Sequence, residues 1–169
     1  MFLDLKDTGA GYIEEPFSRG NHASAAALMR DMNVKVVADE SLCSMSDARL
    51  LIKERSANVF NFRLAKLGGI AGALAVGELA REHGIVIQLG ALVGESGLLC
   101  NAARLCLGRL SPELVEYSFP GVLLKKNPVT ADVPFFSSLV NEISVRSTGL
   151  GNVNESELGR TAVSRVVLD

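Results

Sequence analysis

The 169 residues are enough for one domain with a real core. Hydrophobic residues make up 48% of the chain, which excludes a disordered polymer, and the net charge of −2 gives no electrostatic case for nucleic acid or an anionic membrane as partner. No apolar run approaches the roughly 20 residues of a membrane span, and the first residues lack the basic start and apolar stretch of a signal peptide.

The chain reads as an alternation of short apolar strands and amphipathic helices. Residues Phe2 to Gly9 fit the tail of a helix, with Gly9 or Gly11 as its stop. A first strand is predicted over Tyr12 to Glu14, ended by Pro16. A helix over His22 to Met32 follows, with Ala23, Ala26, Ala27 and Met29 available for its core face. The second strand is Lys35 to Ala38. Ser46 is the expected cap of the next helix, which runs to about Arg55 and buries Leu50, Leu51 and Ala48. The third strand is Val59 to Phe62. Gly68-Gly69 breaks the chain, and Ile70 to His83 is helical with Gly84 as its stop. The fourth strand is Ile85 to Leu89. A Gly-rich turn over Gly90 to Gly97 leads to a helix through about Leu107, and a fifth strand is expected near Glu116 to Phe119. Beyond it, Val122 to Leu124 and Phe135 to Val145 are further apolar stretches before a polar tail.

Successive strand centres lie roughly 23 to 31 residues apart, the spacing of βα units in a parallel sheet. The fold class is therefore α/β. A closed eight-fold barrel needs about 250 residues. About five units fit here, so two architectures are open: a doubly wound sheet, or the C-terminal part of a TIM-type barrel, incomplete as given.

Each strand ends in polar or charged groups, where parallel α/β folds keep their chemistry. Glu14 closes the first strand and Asp39 the second. Strand alternation puts Asn61 and Arg63 on one face of the third, while Phe60 and Phe62 face the helices. Oxygen ligands from neighbouring strands suit Mg²⁺; the alternative is that the two acids cap helices or pair with Arg and Lys. Zinc is not indicated, because only His22 and His83 are present and no Cys-x-x-Cys occurs. Cys43, Cys100 and Cys106 are an odd, widely spaced set that fits reduced thiols, hence a cytoplasmic location.

Three motifs carry a resemblance. Tyr12-Ile13-Glu14-Glu15-Pro16-Phe17, then Val37-Ala38-Asp39-Glu40-Ser41, then Asn61-Phe62-Arg63-Leu64-Ala65-Lys66-Leu67-Gly68-Gly69-Ile70 resemble, in order and spacing, the C-terminal barrel of the enolase superfamily. The subgroup is that of muconate lactonizing enzyme, with o-succinylbenzoate synthase and the dipeptide epimerases. The similarity runs from about Tyr12 to Leu107.

The resemblance implies an Mg²⁺-dependent enzyme that abstracts a proton next to a carboxylate and holds the enediolate on the metal. Matched residue by residue, Glu14 and Asp39 take metal-ligand positions, with Glu40 and Asn61 as supporting groups. Arg63 stands where members with two-base chemistry carry Lys. Arginine stays protonated, so it binds a carboxylate well and serves poorly as a base. Lys66, three residues on, is a second basic candidate; a surface or helix-cap role is its alternative. Glu95 in Gly-Glu-Ser lies where members place groups that assist the substrate, and an acid at a helix N-terminus reads equally well there.

The family's third metal acid, its Lys-x-Lys pair and its capping domain precede the Glu-Glu-Pro strand, so they are expected to be missing from this segment. Cycloisomerase or dehydratase chemistry on a small carboxylate is the resulting expectation. A racemase or epimerase, and a catalytically silent barrel fragment, are the alternatives. A partial barrel leaves open edges, which predicts a homo-oligomer or association with the missing half.

Overall fold

The computed structural model describes residues 9–116, 118 and 123–127. Within them, residues 9–90 with Cys106–Glu116 form one compact unit, and Ala91–Leu105 with residues 118 and 123–127 belong to another. The helix tail expected before Gly9 and the stretch Phe135 to Val145 lie outside the described residues, as does Val122 of the stretch Val122 to Leu124.

The elements are β1 (Tyr12–Glu14), α1 (His22–Met32), β2 (Lys35–Ala38), α2 (Met45–Lys53), β3 (Val59–Phe62), α3 (Gly69–Glu82), β4 (Val86–Leu89), α4 (Gly97–Leu110) and β5 (Leu114–Val115). The five strands form one sheet in the order β1-β2-β3-β4-β5, and every pair is parallel. Sequential order decides between the two expected architectures. A doubly wound sheet reverses its strand order at a switch point; here each unit adds its strand beside the previous one, as successive units of a barrel do. The chain is a run of βα units from the C-terminal part of a TIM-type barrel.

Because both faces are covered, the central strands are apolar almost throughout. Val59, Phe60 and Phe62 are fully buried, and Val36, Val37, Ile87 and Leu89 nearly so. Phe62 packs toward α3: a Cβ added at Gly77 would lie 3.9 Å from its ring. Fully burying such a side chain contributes about 1.5–3 kcal/mol. On α1 the buried residues are Ala25 and Leu28, which meet Val36, rather than the alanines expected from the sequence. On α2, Ala48 and Leu51 are buried as expected, but Leu50 is 41% exposed.

Local chemistry explains the helix ends. Asn21 Oδ1 accepts from Ser24 N at the start of α1, and Asn33, left-handed at φ 54°, closes it. The cap of α2 is Ser44, not Ser46: Ser44 is extended and its Oγ accepts from Asp47 N at 3.1 Å. Ser46 sits inside the first turn, its Oγ 2.8 Å from that of Ser44. Strand β5 also falls earlier than expected. It pairs Leu114 with Gln88 and Val115 with Leu89, so Glu116 and Ser118 lie past its end. Among the described residues no helix is long and apolar enough to cross a membrane.

Candidate functional site

The parallel register brings the ends of β1, β2 and β3 to one level. Glu14 pairs with Val37, and Ala38, one residue before Asp39, pairs with Phe60. Alternation then turns Asn61 and Arg63 to the face opposite Phe60 and Phe62, as the sequence predicts. The result is a compact charged cluster of Glu14, Asp39, Asn61, Arg63 and Lys66, all within the first unit.

Asp39 is its centre, at 1% exposure. A carboxylate so buried needs partners, and it has two. Arg63 Nη2 contacts Oδ2, and Lys66 Nζ contacts Oδ1. Lys66 also donates to the Asp39 carbonyl at 2.6 Å. The tight turn after β3 permits this reach: Lys66 N and Leu67 N both bond to Arg63 O, and Gly69 N bonds to Leu64 O. Lys66 is thus neither a surface residue nor a helix cap.

Glu14 is more open, its side chain 39% exposed. Asn61 Nδ2 donates to its Oε1 at 3.0 Å, and Arg63 Nη2 lies 3.8 Å from that oxygen. Partial burial raises the pKa of Glu14; the Asn61 bond opposes the shift, while the charges of Asp39 and Glu116 add to it. Asn61 itself is fully buried. Its Oδ1 crowds Gly90, where a Cβ would come within 2.0 Å of it. Glycine just after β4 is what leaves room for this side chain.

One residue was missed in the sequence. Glu15, not Glu40, supports Asp39. Glu15 Oε2 accepts from Asp39 N at 2.8 Å, and Oε1 accepts from Ser41 Oγ. Its own N–H donates to Val37 O at 2.9 Å. Strand alternation alone would turn Glu15 away from Glu14, but its φ of 39° redirects the chain and ties the end of β1 to the loop after β2. Glu40 is exposed, and no hydrogen bond or ion pair joins its carboxylate to the cluster. The available signal was the doubled acid before Pro16, paired with a hydroxyl at Ser41.

Glu95 belongs to the second unit. It is buried there, its Oε1 accepts from Leu92 N at 2.9 Å, and its N–H donates to Ser118 Oγ at 2.8 Å. Burial, with the Glu95 charge adding to it, pushes the neighbouring Cys100 thiol up to about 11.

Glu14 and Asp39 fit a hard divalent cation in donor type, and they converge on one point, since a single guanidinium nitrogen lies against both. Among the described residues no group of three His, Cys, Asp or Glu side chains is arranged to hold a metal.

The family profile described as Enolase C-terminal domain-like matches residues 1–137. The chain belongs to this family. It is 32% identical over 161 residues to muconate cycloisomerase 1 of Pseudomonas putida, covering 94% of this chain and 42% of that protein. Among solved structures it resembles muconate lactonizing enzyme from Pseudomonas putida, with a TM-score of 0.73 at 25% identity over 94% of this chain and 44% of the other. It also resembles a dipeptide epimerase from Cytophaga hutchinsonii solved with Mg and the dipeptide D-Ala-L-Val, with a TM-score of 0.66 at 26% identity over 75% and 34%. The chain spans less than half the length of these relatives. It is a member of the enolase superfamily, of the muconate lactonizing kind.

Proposed function

We propose that this chain is a single C-terminal barrel segment of an Mg²⁺-dependent enolase-superfamily enzyme that removes a proton α to a carboxylate. The reaction class is cycloisomerisation or dehydration of a small carboxylate. The observation that supports this most is the convergence of Glu14, Asp39 and Arg63 at the ends of three consecutive parallel strands.

Glu14 and Asp39 would hold the cation. When bound, it would offset the charge that develops on the substrate carboxylate as the α-proton leaves. The chain's own residues prepare that site. Asn61 fixes Glu14 through its amide, and Glu15 fixes the main chain of Asp39. Arg63, permanently charged, clamps a substrate carboxylate. An assisting role for Glu95 rests on its Gly-Glu-Ser motif. The third metal acid and the general base would come from strands preceding Tyr12 in the whole enzyme.

Arg63 argues against racemisation or epimerisation, which need an acid or base on each face of the substrate carbon. The second reading is a catalytically silent segment or partner subunit. Its support is the saturation of Asp39, both of whose oxygens already face a cation.

The test is a panel of small carboxylates, muconates and dipeptides included, incubated in D₂O with and without Mg²⁺. Mg²⁺-dependent exchange of an α-proton, or incorporation of deuterium at the α-carbon of a product formed from muconate, supports the enzyme. The absence of both from the whole enzyme, upstream strands included, overturns it. Cys43, Cys100 and Cys106 are free thiols, which supports a cytoplasmic setting. Strand β1 is an edge of the described sheet and Tyr12 is 42% exposed there, which supports self-association or docking of a further strand. Light scattering that returns a monodisperse monomer would remove that part of the reading.

A further inference from the structure

Arg63 Nη2 contacts Asp39 Oδ2 and lies 3.8 Å from Glu14 Oε1. One nitrogen therefore stands between the two carboxylates assigned to a shared cation. Lys66 Nζ takes the other carboxylate oxygen of Asp39 and its carbonyl. Both oxygens of Asp39 and one of Glu14 therefore already face positive charge supplied by the protein itself.

We propose that Arg63 and Lys66 are built-in counter-ions that compete with a divalent cation for Asp39. This rests on the reading of Glu14 and Asp39 as metal ligands. The identity of residue 63 makes the competition hard to relieve. An arginine keeps its charge, so its guanidinium has to leave the bridging position or repel the incoming ion. At 19% exposure the Arg63 side chain has a solvent-facing side toward which it can swing. Lys66, tied to the Asp39 carbonyl as well, has less freedom to leave. Arg63 is therefore the gate and Lys66 the standing competitor.

The probe is Mn²⁺, followed by the electron paramagnetic resonance signal of the free ion during titration of the full chain. Removing one adjacent cation changes a carboxylate's affinity for positive charge by about tenfold or more. Arg63→Met and Lys66→Met should each tighten Mn²⁺ by about tenfold. Arg63→Lys should bind within about threefold of the parent. Adding Asp39→Asn to Arg63→Met should abolish the gain. A second readout covers a variant of reduced stability. Arg63→Met should melt below the parent without metal, and Mn²⁺ should raise its melting temperature by more than it raises the parent's. Equal or weaker binding in Arg63→Met, with parental binding still lost in Asp39→Asn, overturns the competition and leaves the ligand assignment standing. Binding that never depends on Asp39, in the parent or any variant, overturns both.

Discussion

Lys66 reaches back 27 positions to Asp39, donating to the main-chain carbonyl at 2.6 Å while it contacts the carboxylate. The turn after β3 is thereby tied to the end of β2 by one side chain. Its Nζ comes to Asp39 from a segment with no strand pairing of its own, so the contact sets where that turn lies. Replacing Lys66 with Met keeps much of the apolar stem and removes the charge. The buried carboxylate then keeps only Arg63, and the loss should be about 1–3 kcal/mol. Urea unfolding of the two proteins gives this difference directly; an unchanged midpoint would mean that Arg63 alone suffices for Asp39.

Glu15 and Ser41 form the second tie at the same place. The Glu15 carboxylate accepts from the Asp39 amide and the Ser41 hydroxyl together. Glu15→Gln substitutes a neutral group that cannot accept at both ends, and Ser41→Ala removes one donor. Each should cost about 1–2 kcal/mol, and the double variant should cost less than their sum by about 1 kcal/mol. A double-mutant cycle by thermal or urea unfolding measures that coupling. Strict additivity would show that the two groups do not share one interaction.

Three strand ends were legible in the sequence because chemistry and burial point the same way there. A short apolar run bounded by charge is a buried parallel strand, and its period of two assigns Asn61 and Arg63 to one face. Spacing fixes the number of units but not the side on which each strand is added, so the barrel order was legible only through the three motifs and the resemblance they carry. The errors lie where local backbone departs from the period. Glu15 follows no alternation because its φ is positive. The choice between Ser44 and Ser46 turns on which serine is extended, which their shared chemistry cannot reveal. Strand β5 has only two residues, too few to make a periodic signal. Lys66 was ambiguous because a turn, not a strand, aims it.

Glu14 gives a pH signature. Burial, opposed by the Asn61 bond and reinforced by the Asp39 and Glu116 charges, raises its folded-state pKa above the ordinary 4.5. The folded protein therefore binds this proton more tightly than the unfolded chain. Its contribution to stability is fully present below the ordinary value and is lost as pH rises through the raised one. Glu14→Gln should flatten that decline above about pH 4.5 and leave the rest of the pH profile in place. The carboxylate is partly exposed, so the effect is small and best read as a difference between the two pH–stability curves. Parallel curves would place Glu14 outside the electrostatics of the cluster.

Arg63 tests the chemistry itself. It shares a face with Asn61 and contacts Asp39, so its charge faces the space where a substrate carboxylate would meet the two acids. Arginine cannot accept a proton near neutral pH, so the proposed role is that of an electrostatic clamp. Arg63→Met and Arg63→Lys separate clamp from base when the whole enzyme is followed by exchange of the substrate α-proton with solvent deuterium. With the clamp removed, Met should lose most turnover, about 100-fold or more for an electrostatic group facing the developing charge. Lys keeps a cation and should retain part of the rate. It can also lose its proton, so it should add exchange on the second face of the substrate carbon, which the proposed one-base chemistry of the parent would lack. Equal turnover in Met and the parent would remove Arg63 from the reaction, and the catalytically silent reading would take its place.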